Sequence, residues 1–141
     1  MDLTQDFQGG LWVNAYHKGN EEDSNPSITV SGKRYDGAIA LASTGKLIQL
    51  ADLTAEHLID YLNACEADIM AGLGIQENQQ LECCLIGGAQ GSLLWRWPEI
   101  ALFKQLQLKG CAVDVMSLDA ACRTYNVLAS EGRWVAAFLI I

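Results

Sequence analysis

The sequence predicts an α/β domain in three layers: a mixed central β-sheet flanked by helices, with additional antiparallel strands from its N-terminal part. Three observations carry this. From Leu81 onward the chain alternates strand, helix, strand, helix, strand, the order that lays helices on a sheet through right-handed crossovers. Between Leu11 and Leu50, short β-rich runs are separated by turn residues, the pattern of antiparallel strands. Half of the 141 residues are hydrophobic, which is enough for one core without disulfides or metals.

Residues 1–10 are polar and end in Gly9-Gly10, so they read as a flexible arm. Residues 11–141 read as one domain. Leu11 to Tyr16 is the first strand, and Gly19 to Pro26 is an acidic, turn-rich loop. Its Glu21, Glu22 and Asp23 lack the spacing of a calcium loop and read as solvated. Ile28-Thr29-Val30 and Lys33-Arg34-Tyr35 flank Ser31-Gly32, a short hairpin. Ala38 to Ala42 and Leu47 to Leu50 follow, so the N-terminal third reads as an antiparallel β layer. Thr54 caps a helix with Leu58, Leu62, Cys65 and Ile69 at helical spacing, ending before Gly72 or Gly74.

Leu81 to Ile86 is a buried strand that empties into Gly87-Gly88-Ala89-Gln90-Gly91. Pro98 and Glu99 open a helix that buries Ile100, Leu102, Phe103 and Leu106. Cys111 to Met116 is a strand. Ser117 and Asp119 are helix-start residues, and Ala120 to Glu131 carries the stripe Ala121, Thr124, Tyr125, Leu128. Asp119 precedes Arg123 by four, the favourable order for a helix ion pair. Gly132 ends the helix, and Trp134 to Ile141 is apolar throughout, a strand covered on both faces.

The formal charge is −8, which repels phosphate backbones and disfavours nucleic-acid partners. No stretch is long enough to span a bilayer. The acidic N-terminus MDLTQDF resembles no targeting signal, so a cytoplasmic location and no membrane insertion are expected. Five cysteines without zinc spacing read as reduced thiols. No metal and no cofactor are expected.

Three places have residues suited to a site. Gly87, Gly88 and Ala89 follow a buried strand, where open α/β sheets place ligand crevices; they serve equally as a tight strand exit. Ser117, Asp119 and Arg123 sit at a helix start that favours an anion, or simply cap and brace it. Cys122 lies in the same first turn as a weak candidate nucleophile, or as a packed thiol. Trp95, Arg96 and Trp97 are residues typical of protein interfaces, or a cover for the edge of the core. Ser43-Thr44-Gly45-Lys46 lacks the distal glycine and the hydroxyl residue of a P-loop and reads as a turn.

Val115-Met116, the run Ala120 to Leu128 (AACRTYNVL) and Ser130 to Arg133 (SEGR) resemble the signature of the Mth938-like family. Leu85 to Ala89 and Trp97-Pro98 fall where that family has its glycine loop and an aromatic-proline step. The resemblance covers roughly Ile28 to Ile140. It implies a mixed sheet with packed helices and extra N-terminal strands. The family includes a mitochondrial respiratory complex I assembly factor and small bacterial proteins without assigned function. The expectation is therefore a non-enzymatic protein-binding or assembly-accessory module with a protein partner or a second copy as a homodimer. Two alternatives stand beside it: a small-molecule or anion binder, or enzyme, using a pocket between Gly87-Gly88 and the last helix, and a structural homo-oligomer.

Overall fold

Ser31 (φ 50°) and Gly32 (φ 83°) both take left-handed backbone, the pair that a two-residue hairpin turn requires. They join β2 (Ser27–Val30) to β3 (Lys33–Asp36) with Val30 opposite Lys33. The other edge of β2 pairs antiparallel with β1 (Val13–His17), across an irregularity between Val13 and Ala15. These strands form a separate three-stranded sheet, β1-β2-β3. The structure, a computed structural model, describes residues 11–17, 27–50, 55–76, 80–88 and 96–140; the side chains of His17 and of residues 55–57 are excluded. The N-terminal arm, the acidic loop, Leu53, Thr54, Ala89 and Trp95 lie outside the described residues.

The N-terminal third does not form one β layer as the sequence predicts. Gly37 (φ 82°) turns the chain and sends β4 (Ile39–Ala42) into a second sheet. The reason is composition. All four residues of β4 are buried, whereas three of the four in β3 (KRYD) are exposed; only the first suits a strand covered on both faces. The second sheet has the order β5-β4-β8-β6-β7. Here β5 is Leu47–Gln49, β6 Cys83–Gly88, β7 Ala112–Ser117 and β8 Val135–Ile140. β4 runs antiparallel to β5 and β8, and β6 runs parallel to both β8 and β7. The sheet is therefore mixed, as predicted.

Alternation along the central strands sends side chains to two cores. On one face Ala40, Cys84, Ile86, Ala136 and Phe138 meet helices α1 (Ala55–Ala64), α2 (Glu66–Gly72) and α3 (Ala101–Leu108). Phe103 of α3 stands edge-on to Phe138, with ring centroids 4.9 Å apart. On the other face Ile39, Leu41, Leu85, Ala137 and Leu139 meet α4 (Leu118–Ser130) and the inner residues of the three-stranded sheet. Three layers result. The connections β6–α3–β7 and β7–α4–β8 run in opposite directions along the sheet and on opposite faces. Both therefore have one hand, as the strong preference for right-handed crossovers requires.

Four details depart from the sequence reading. The helix expected from Thr54 onward bends at Cys65 into α1 and α2, while the Cys65 N–H still donates to the Tyr61 carbonyl at 2.9 Å. Pro98 lies in a 3-10 turn, Trp97–Glu99, and extended Ile100 separates that turn from α3. Ile100 has no side chain to cap α3, and Asn63 of α1 does so instead: its Oδ1 accepts from the Ala101 N–H at 2.7 Å. β6 continues through Gly87 and Gly88, because β7 and β8 pair with both. Trp134 precedes β8 and is 42% exposed; its backbone N–H donates to Glu82 Oε2 at 2.9 Å, which anchors the chain and leaves the ring outside.

Candidate functional site

β6 and β7 are parallel neighbours, so the glycines and the start of the last helix meet at one sheet edge. Gly87 lies opposite Met116, and Gly88 opposite Ser117. β7 leads into α4 on one face of the sheet, while the chain after β6 leads to α3 on the other. Adjacent strands whose connections leave on opposite faces form a topological switch point, where open α/β sheets place ligand crevices.

The side chains at this edge are engaged with one another. Ser117 Oγ accepts from the Ala120 N–H at 3.2 Å and caps α4. Asp119 and Arg123 form an ion pair at 2.8 Å across one exposed turn. A Cβ built on Gly87 would stand 2.3 Å from Ala121 Cβ, far inside contact distance. Gly87 is thus the position that lets α4 lie close against the sheet. Gly88 is buried in the strand, and Ala89 is outside the described residues.

Cys122 is buried under α4. Burial, and next to it the Asp119 carboxylate, push its thiol up to about 11. A nucleophile needs the opposite shift. The other thiols divide by strand alternation: Cys83 contributes to one core and Cys84 to the other. All five cysteines are free. Among the described residues, no group of three or more His, Cys, Asp and Glu could hold a metal ion.

Two helix residues outside the candidate site, Tyr125 and Asn126, prove central to the packing of α4. Asn126 Oδ1 accepts from the Val13 N–H at 3.0 Å, and its Nδ2 donates to the Val13 carbonyl at 2.9 Å. The amide thereby pairs with the backbone of β1 as a neighbouring strand would. Tyr125 is fully buried beside it, and its hydroxyl has no hydrogen-bond partner among the described residues. Burial alone pushes that phenol up. The amide of Asn126 next to Tyr125 on the helix was the sequence signal for the clamp.

Of the aromatic triplet, Trp97 is half-buried, packs against the helical core and lies beneath Lys104 Nζ, 5.9 Å from the ring centroid. Arg96 donates to both carboxylate oxygens of Glu99, at 2.8 and 3.2 Å. Trp95 is outside the described residues.

The most open feature of the sheet is β7. It ends the strand order, pairing only with β6 among the described strands. Its residues are exposed or half-buried at every position, and Val115 is 37% exposed. The run AVDVMS has no Pro or Lys, which commonly block an edge; Asp114 is its single charge.

Residues 22–140 match the family described as protein of unknown function (DUF498/DUF598). The chain is similar to a Bordetella pertussis protein described as a Mth938-like domain and solved in solution: 30% identity, 94% of this chain and 87% of that one, TM-score 0.55. A crystal structure of a Bordetella parapertussis protein is similar at 29% identity, over 92% of this chain and 94% of that one, with TM-score 0.57. A Francisella tularensis protein named "13 kDa major membrane protein" is 39% identical over 59 residues. That match spans 42% of this chain and under half, 46%, of the relative. Among the described residues no helix is long and apolar enough to cross a membrane. The match over 22–140 and the three-layer fold shared with the Bordetella domain place the chain in the DUF498/DUF598 family of Mth938-like proteins.

Proposed function

We propose that this chain is a non-enzymatic protein-binding module that receives an extended segment of its partner along the free edge of β7. The observation that carries this reading is β7 itself: six residues, each exposed or half-buried, with no strand on the outer side among those described. An added strand would gain main-chain hydrogen bonds along that edge and side-chain contacts with Val113, Val115 and Met116. The net charge of −8 and the exposed Asp114 favour a basic segment and disfavour self-pairing. The raised Cys122 thiol and the engaged Ser117 hydroxyl argue against nucleophilic chemistry at the switch point. The likeness to a family with an assembly factor agrees with an accessory role.

The test is recovery of a native partner from the source cells by tagged parent and by Val115→Lys. Loss of one defined partner, with native circular dichroism, supports the reading. Retention of every association contradicts it. A shift from dimer to monomer in sedimentation would identify the partner as a second copy.

A second reading is favoured by one observation, the register that sets Gly88 beside Ser117 at the switch point. It is an anion site between β6 and the start of α4. Its test is inorganic phosphate binding by the parent compared with Gly88→Asp.

A further inference from the structure

A cavity of about 680 Å³ opens at the other end of the parallel strands from Gly88 and Ser117. Leu81, two residues before β6, and Cys111, which directly precedes β7, line it. Five residue steps along each strand put roughly 16 Å between the two ends, so the cavity is separate from the switch point. α2 and the segment after it contribute Met70 and Ile75 to its lining, and α3 contributes Leu106. Its size falls within the range of small-molecule sites, which combine apolar walls with a few polar groups.

The polar groups are unevenly disposed. Glu66 and Lys109 are both in the lining. Glu66 lies in the first turn of α2, where the helix N-terminus already favours its negative charge. Lys109 is the C-terminal residue flanking α3 and has no ion pair among the described residues. Gln80 spans the same end, its Nε2 donating to the Lys109 carbonyl at 3.3 Å. Gly110 (φ 92°) makes the turn beneath, where a Cβ would stand 3.0 Å from Gln80 Nε2. This close, hydrogen-bonded turn fixes the backbone that carries Lys109. Apolar walls and one ammonium, Lys109, that has no ion pair among the described residues define the chemistry of an occupant.

We propose that the cavity between α2 and the α3–β7 turn binds an anionic amphiphile, an apolar chain or ring with a single carboxylate-like head directed at Lys109. The body replaces water against Met70, Ile75, Leu81 and Leu106, and the head pairs with the lysine. The chain's net charge of −8 makes non-specific attraction of such an anion unfavourable. Saturable binding to the native protein therefore reports the cavity.

The probe is sodium decanoate below its micellar concentration, followed by calorimetry on the full chain. Decyltrimethylammonium is the comparison. Parent protein should bind decanoate at one site and prefer it to the cationic probe. Lys109→Glu should weaken decanoate about tenfold or more, the scale of one lost charge-assisted contact, and reverse the preference. Ala71→Trp places an indole in the cavity from an exposed helix position and should abolish saturable binding with native near-ultraviolet dichroism. Ala67→Trp, also in the lining and exposed, serves if the first variant does not fold. Absence of saturable binding to the parent overturns the proposal. So does undiminished binding by a folded tryptophan variant, or an affinity indifferent to the sign of residue 109.

Discussion

Asn126 holds Val13 by both of its backbone groups, although 113 positions separate them. The relationship explains how the three-stranded sheet stays on α4. β1 has one edge paired with β2 and no strand on the other among those described; Asn126 supplies a donor and an acceptor to that second edge at Val13. Asn126→Ala removes both and strands a half-buried N–H and carbonyl. The expected loss is about 2 kcal/mol or more, read as a lower denaturation midpoint. Hydrogen exchange at Val13 should accelerate beyond that of β4. Unchanged exchange at Val13 would mean that the amide pair is incidental.

Gly87 faces Ala121 so closely that a Cβ on the glycine would clash with it. Gly87→Ala should destabilise by about 1–3 kcal/mol or more through overpacking. Ala121→Gly alone costs about 1 kcal/mol as a glycine within a helix. The double variant should nevertheless be more stable than Gly87→Ala alone, because the clash is gone. Additive losses in the pair would refute the packing role.

Tyr125 presents the reverse case. Its hydroxyl is buried without a partner among the described residues, so deleting that oxygen removes a desolvation penalty and little else. Tyr125→Phe should leave stability unchanged or raise it by about 1 kcal/mol. A clear loss of stability would point to a hydrogen bond of that hydroxyl in solution.

The thiols set an alkaline limit. Burial raises Cys122 to about 11 and Cys111 to about 12, and raises Cys84 as well. In the unfolded chain a thiol titrates near about 8.5. Above that pH the unfolded state binds fewer protons than the folded one, so stability falls as pH rises. The contribution is complete below about 8.5 and is lost as pH climbs through about 11 for Cys122. Urea midpoints from pH 7 to 10.5 should therefore decline, and less steeply in Cys122→Ala. Native protein at neutral pH should label slowly with a thiol reagent, with all five thiols reacting once unfolded. Rapid, selective labelling of Cys122 would restore the nucleophile reading.

Local chemistry made much of the fold legible. Ser31-Gly32 announced its hairpin, Ser117 its cap, Asp119 and Arg123 their ion pair, and Gly132 (φ 75°) its helix end. The continuous apolar run after Trp134 announced a central strand. What stayed hidden depends on contacts between distant segments. Gly87 reads as a loop residue until Ala121 is set against it. The division of the N-terminal strands into two sheets depends on β8 pairing with β4, nearly a hundred positions later in the chain. The meeting of Gly88 with Ser117 requires β6 and β7 to be parallel neighbours, which the register shows and no local run of residues announces. The cavity had no local signal, since α2 and the α3–β7 turn create it only together. Exposure of β7 was equally invisible, because a short β-rich run does not reveal whether it will lie at an edge.

The edge of β7 is the central claim, and hydrogen–deuterium exchange across residues 112–117 tests it most directly. Amides of the free protein that face away from β6 should exchange quickly, whereas those bonded to β6 exchange slowly. In the complex recovered from the source cells, the outward amides should become protected, with β5 unchanged. Protection confined to another surface, such as the Arg96–Trp97 turn, with β7 exchanging as in the free protein, would contradict the account.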